Sequence, residues 1–497
     1  MSSTSAMRQR PGVLTLCVVG VLSASASGVE SPNHRLVVLA DMGNEPDEEQ
    51  QMAHLLMYAN EIDIEGLVAV TGKYLRRTPQ PELFRRLVDG YAQIEDNLRL
   101  HAEGWPTADE LRQVVASGQS NYGIDDVGEG KSSPGSMLLL QAALSEDPRP
   151  LHVVVNAGAN TLAQALVDYR STHGAEEVSR LVKKLRVFEN GAQDNAGAWI
   201  CHEFPDIHWI RSNFQTYCYG GPGHDGDPDN NNRMGPHTWH PYEYSPLGQH
   251  QWALEHVIAG HGALGSLFPL RLFRQGKIAF IEGGGTAPWM GLVQQGVYDP
   301  DQPHWGSYSG RFSQEKAKNV WSRHQDVRVD EQQYGDFFVF REVGDRWINP
   351  DTEELFENAY APVWRWRRAM FNDFRARMDW CVRPRDTANH NPVAAIDGDA
   401  SDEIVRRNVN AGDRIAISAV DCSDPDGDGV ECTWYSYPEA GSYLGELSDE
   451  RTAGASYEMS VPEDAAGSTI HLIMEVVDDD QECPLYDFRR IVIEVAD

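Results

Sequence analysis

Asp41, Glu45, Asp47, Glu48 and Glu49 crowd into nine residues, interrupted by Gly43 and Pro46. Carboxylates that close repel one another, and a helix start offsets the repulsion only slightly. A hard cation resolves it, and an oxygen-only donor set suits Ca²⁺ or Mg²⁺. A solvated acidic helix N-terminus is the plainer reading, and both stand on this stretch alone. Polar residues recur in three further places. VVVNAGANTLAQALVDY, from Val153, carries Asn156 to Asn160. FENGAQDNAGAW, from Phe188, carries Gln193, Asp194 and Asn195. FIEGGGTAPWM, from Phe280, carries Glu282. A carboxylate to hold a cation, amides to bind hydroxyls and nearby aromatics suit recognition of a sugar.

These residues need elements to position them. Leu36–Ala40 is a short apolar run of buried-strand type, and Met52, Leu55, Leu56 and Ala59 follow at helical spacing. Apolar runs at Ile64–Val70, His152–Val155, Leu185–Phe188 and Ile278–Ile281 alternate with helical or loop segments. That alternation predicts an α/β domain, over 33–310, with a mainly parallel sheet covered by helices on both faces. The acidic turn and the three polar turns then lie at strand carboxyl ends, where open α/β sheets bind ligands. A polar insert at Gly220–Pro246 is too rich in Gly, Pro, Asn and Asp to be a core element. Residues 311–388, rich in Arg and Trp, read as a helical closing segment, with Trp364, Trp366 and Trp380 as core residues. Short alternating strands over 389–497 predict an Ig-like β-sandwich. Its DPDGDG stretch, Asp424–Gly429, reads equally as a surface turn or a Ca²⁺ loop.

Bulk properties narrow the function classes. The formal charge of −33 excludes nucleic-acid binding through backbone phosphates. Arg8 and Arg10 precede the apolar run Val13–Leu22, and Ala24-Ser25-Ala26 resembles a cleavage site. Residues 1–26 therefore read as a signal peptide, too short to span a membrane, and the protein as exported, periplasmic or extracellular. Export permits disulfides among the six remaining cysteines. Cys422 could join Cys432, and Cys201 could join Cys218, although sequence cannot assign pairs.

The strand–DMGNEPDE–helix stretch resembles the aspartate-rich N-terminal signature of nucleoside hydrolases, and NAGANTLAQAL resembles their second glycine-turn motif. More specifically, the chain resembles an exported bacterial family of nucleoside-hydrolase-like proteins, some described as cellulose-binding. YGIDDVGEGKSSPGS, QDNAGAW, HGALGSLFP, EGGGTAPW and WGSYSGRF carry that resemblance, as do YPEAGSY and VPEDAAG in the tail. It implies Ca²⁺ held by Asp41, Glu48 and the backbone carbonyl of Ala157. Asp41 would also be the catalytic base toward a metal-activated water. It implies sugar contacts from Asp47 and from Asp194 or Asn195, with Glu282 the acid nearest the late metal-binding position.

Three features depart from the family pattern. VAVTGKY offers Gly72 and Lys73 where an asparagine is usual, EGGGTAPW has glycine in place of an aspartate, and the usual histidine is not evident, His261 and His304 being candidates by type only. Two functions follow as expectations. One is a Ca²⁺-dependent hydrolase of a glycosidic, possibly N-ribosidic, bond. The other is a non-catalytic protein binding cellulose or another plant-wall polysaccharide. The expected partner of either is a sugar-containing small molecule or polysaccharide.

Overall fold

The computed structural model describes Met1 and residues 33–213, 215, 249–273, 278–281, 283–317, 322, 324–351, 353–448 and 450–497. The expected signal peptide, the polar insert, Cys218 and Glu282 lie outside the described residues.

Strands β1 (His34–Ala40), β2 (Ile62–Ala69), β3 (Val115–Ser117), β4 (Leu151–Val155), β5 (Leu185–Asn190) and β6 (His208–Ser212) are mutually parallel. Val37 and Leu39 face one apolar cluster, while Leu36, Val38 and Ala40 face another. That two-sided burial is why these strands read as continuous apolar runs. Helices Pro46–Leu56 and Pro81–Tyr91 cover one face through Met52, Leu55, Phe84 and Leu87. Helices Pro134–Leu144, Asn160–Thr172, Ala175–Lys184 and Ala196–Glu203 cover the other through Leu139, Leu162, Leu166, Leu181 and Ile200. Each fully buried leucine contributes roughly 1.5–3 kcal/mol.

The short antiparallel pair β7 (Arg271–Phe273) and β8 (Ile278–Phe280) forms its own two-stranded sheet. This corrects the expectation that Ile278–Ile281 is a main-sheet strand. Its apolar run is indistinguishable in sequence from a buried parallel strand.

β9 (Phe312–Ala317) and β10 (Phe337–Glu342) complete the main sheet, whose order is β3-β2-β1-β4-β5-β6-β10-β9, with only β9 antiparallel to its neighbour. The segment 311–388 is therefore not wholly helical. It supplies two sheet strands and the hairpin β11 (Asp345–Ile348)–β12 (Leu355–Asn358) before the helix Arg367–Trp380. Trp364, Trp366 and Trp380 are core residues, as their spacing suggested.

From β1 the chain moves outward to β2 and β3, then returns to β4 on β1's other side. The crevice beyond the carboxyl ends of β1 and β4 is thus a topological switch point.

The C-terminal strands are β13 (Val405–Val409), β14 (Arg414–Ser418), β15 (Val430–Ser436), β16 (Thr452–Ala453), β17 (Ser456–Ser460), β18 (Thr469–Asp478) and β19 (Tyr486–Val495). They form a sandwich of a β13-β19-β18-β15-β16 sheet and a β14-β17 pair around Trp434, Leu472, Met474 and Ile491. Buried Arg490 ties it to the first domain by donating to the Val297 and Gly306 carbonyls, each at 2.9 Å. Cys201, Cys381, Cys422, Cys432 and Cys483 are free thiols.

Candidate functional site

β1 ends at Ala40, and the next residues turn sharply. Gly43 has φ +87°, and a Cβ there would lie 2.7 Å from the Gln80 and Leu83 side chains. Pro46 opens the helix with its φ already set and no N–H to leave unpaired. Asp47, Glu48 and Glu49 occupy the helix's first turn. Glu45 turns away to pair with Arg271 at 2.7 Å.

Asp41, Asp47 and Glu48 are buried, with exposures of 0%, 9% and 3%. Both Asp41 carboxyl oxygens, Asp47 Oδ1 and Glu48 Oε2 receive no hydrogen bond from the rest of the protein, and Glu48 lies within hydrogen-bonding reach of both aspartates. Burial first, then the charge of Asp47, pushes Asp41 up to about 7. Burial, then Asp47 and Asp41, holds Glu48 well above the usual carboxylate range. Burial raises Asp47 as well. Three carboxyl groups thus share one low-dielectric space, and they can coexist there by holding protons or a cation.

The neighbouring strand ends close around them. A Cβ on Gly72 would lie 2.5 Å from Asp41 Oδ2, 2.8 Å from Gln193 Oε1 and 3.0 Å from the Ala157 Cβ. Gly72 brings the segments following β1, β2, β4 and β5 to one point, and any side chain at that position would displace Asp41. The Gln193 amide donates to the Asn156 carbonyl at 2.8 Å and accepts from Lys73 N–H at 3.1 Å. Tyr122 donates to the Gln193 carbonyl at 2.8 Å.

Over the acidic helix lies the glycine turn 283–285. Gly283 N–H donates to Gln50 Oε1 at 3.1 Å, and Asn190 donates to the Gly284 carbonyl at 2.9 Å. Asn156 donates to Gln51 and, at 3.2 Å, to the Gly285 carbonyl. Its own Oδ1 is buried without a partner.

Asp194 and Asn195 sit beside this point with their acceptors engaged. Asp194 accepts from Ala159, Asn160 and Ala196 N–H at 3.1, 3.3 and 2.9 Å. It thereby serves the N-termini of two helices. Burial nevertheless pushes it up to about 7. Asn195 Oδ1 accepts from Ile124 N–H at 3.0 Å.

The candidate histidines make their contacts elsewhere. His261 bonds Asp379 at 3.2 Å, and His304 lies against Trp305, which packs on His471 at the domain junction. His324 and Tyr74, which sequence reasoning passed over, meet at 3.4 Å next to Lys73. Gln51, Asn190 and Tyr122 were also passed over. Tyr122 opens YGIDDVGEGKSSPGS and Asn190 lies in FENGAQDNAGAW, so a signal existed for both, whereas Gln51 reads as an ordinary polar helix position.

The unpartnered carboxyl oxygens of Asp41 and Glu48 are hard donors of the type that suits a hard cation. Among the described residues, no group of three or more His, Cys, Asp or Glu side chains could hold a metal ion, so a cation here would draw on fewer carboxylates and on other oxygens. Nor is any helix long and apolar enough to cross a membrane.

The eight-stranded sheet, its switch point and the buried acidic turn define a nucleoside-hydrolase-like α/β protein with an added sandwich. The chain belongs to the family described as "Cellulose-binding Sde182, nucleoside hydrolase-like domain", whose model matches residues 35–312. Residues 414–495 match "Cellulose-binding protein Sde0182, C-terminal domain". A solved nucleoside hydrolase-related protein from Saccharophagus degradans, described as associated with carbohydrate metabolism, is similar at 31% identity and TM-score 0.78. It covers 93% of this chain and 100% of its own. The effector protein XOO4466, at 12% identity and TM-score 0.29 over 71% of this chain and 93% of its own, supports no argument. No curated protein matches.

Proposed function

We propose that this protein is an exported hydrolase of a glycosidic bond in a sugar-containing substrate, with Asp41 as general base. The supporting observation is the trio of buried carboxyl groups, four of whose oxygens lack partners, at the switch point. Asp41 would accept a proton from the water that attacks the anomeric carbon, while the leaving group departs with the bonding electron pair. Asp47 would accept from sugar hydroxyls. Gln193 and Asn156 hold the strand ends in register around the reacting sugar. Ca²⁺, when bound to Asp41, Glu48 and the Ala157 carbonyl, would supply the positive charge that offsets the carboxylates and acidifies a nearby water.

Incubation with a panel of nucleosides and oligosaccharides tests this. Released sugar that is sensitive to a chelator and absent in Asp41→Asn supports the hydrolase. No release from any member, alongside measurable saccharide binding, would overturn it in favour of a carbohydrate-binding protein. The cellulose-binding description of the family supports that second reading.

A further inference from the structure

The YPEAGSY stretch, Tyr437–Tyr443, has no part in the acidic site. It forms one wall of a cleft of about 480 Å³ between the sandwich and the β11–β12 hairpin. That volume falls within the roughly 300–1,000 Å³ of small-molecule clefts. Trp347 and Ile348 line the hairpin side, and Tyr435, Tyr443 and Leu444 line the sandwich side.

Both walls are fixed in place. Tyr437 donates to Asp345 at 2.6 Å, and Arg365 stacks on its ring at 3.9 Å while pairing with Asp345 at 3.0 Å. Arg311 bonds Asp345 at 2.6 Å and the Glu439 carbonyl at 3.0 Å. The loop is pinned by Ser442 and Tyr443 N–H donating to the Thr469 carbonyl at 3.1 and 3.2 Å. Tyr443 also donates to Asp464, in VPEDAAG, at 2.8 Å. The cleft therefore exists before any ligand arrives.

Its charges balance. Arg451 pairs with Glu475 at 2.5 Å and Arg346 with Glu357 at 3.5 Å, while Arg311 and Arg365 share Asp345, the surplus positive charge being offset by the Glu439 carboxylate. What remains are single polar atoms: Glu439 Oε2 and Arg365 Nε are buried and unpartnered. Beside them stand apolar groups turned outward, Leu444 at 98% and Ile348 at 39% exposure. One acceptor and one donor among aromatic and aliphatic surfaces, without net charge, match a chain bearing hydroxyls on its edges and C–H groups on its faces.

We propose that this junction cleft is a second, non-catalytic binding site for a neutral oligosaccharide. It does not rest on the chemistry assigned to Asp41.

Calorimetric titration of the full chain with cellohexaose, in parallel with hydrogen exchange, tests it. Binding should weaken at least tenfold in Tyr443→Ala/Leu444→Ser and persist in Asp41→Asn. Cellohexaose should protect residues 346–350 and 435–445 from exchange. If the double variant unfolds, Ile348→Ser on the opposite wall should weaken binding instead. No binding, unchanged affinity in folded wall variants, or protection confined to other segments would overturn the proposal. So would preference for an oligogalacturonate of equal length, which is anionic, or concentration-dependent dimerisation that protects the same residues. Loss of turnover in Asp41→Asn with cellohexaose binding intact separates the two sites. Retained turnover with no cellohexaose binding overturns the cleft alone.

Discussion

Acidic residues crowd twice in this chain, with opposite outcomes. In the turn after β1, Asp41, Asp47 and Glu48 are buried and four of their oxygens have no partner. In Asp424–Gly429, Asp426 and Asp428 are exposed, and Asp424 Oδ1 accepts from Asp426, Gly427 and Asp428 N–H at 2.7, 3.1 and 3.3 Å. The second loop meets most of its hydrogen-bonding needs from its own backbone N–H groups and from His390, leaving one buried oxygen, Asp424 Oδ2, without a partner. The first is denied water by the strand ends around Gly72 and by the glycine turn above it. Density of carboxylates is the same signal in both places, and burial is what separates stored electrostatic tension from an ordinary turn.

The largest effect that would break the comparison is catalytic. Asp41→Asn should lower sugar release about a hundredfold to ten-thousandfold, the usual span for losing a general base. Asp428→Asn should leave release unchanged, as measured by reducing-sugar assay. Equal losses in the two variants would erase the distinction.

Cation response sharpens it next. Ca²⁺ at a hundred times its Kd should stabilise the wild type by about 2.7 kcal/mol. Thermal unfolding should show that gain lost in Glu48→Gln and kept in Asp428→Asn. The reverse pattern would put the cation in the sandwich.

A smaller effect concerns pH. Asp194, beside the first region, is raised by burial from 3.8 to about 7. Between those values the folded protein holds more of this proton than the unfolded chain does. Asp194 therefore makes stability fall as pH rises from about 4 to 7, by at most roughly 1.4 kcal/mol per pH unit. Asp194→Asn should flatten that slope in denaturant titrations, whereas Asp426→Asn in the exposed loop should not.

The smallest expected effect is structural. Asp426 pairs with His390 at 2.9 Å, and His390 in turn meets His101 of the first domain at 3.0 Å. Asp426→Ala should cost about 1 kcal/mol of stability by equilibrium unfolding, the scale of one hydrogen bond. Sugar release should be untouched.

Much of the architecture was legible because it is written locally. Two-sided apolar runs at β1, β2, β4 and β5 gave strands, and helical spacing after Pro46 gave the covering helix. Asp41 stood out because it directly ends such a strand. Ile278–Ile281 misled for the same reason: four apolar residues look alike in a main-sheet strand and in the small β7–β8 hairpin. The strands within 311–388 were hidden by neighbouring segments of helical spacing.

By itself, then, the sequence determined the α/β alternation, the sandwich, the acidic turn and the family motifs. Each depends on residues adjacent in the chain, whose period and turn chemistry act at short range. Only tertiary structure decided which polar groups are spent and which stand unpaired. Asp194 became the acceptor for Ala159, Asn160 and Ala196 N–H because two helix starts converge on it. Gly72 became indispensable because Asp41, Gln193 and Ala157 approach it from three other strand ends. Those outcomes depend on distance in space and on exclusion of water, neither of which a linear spacing encodes.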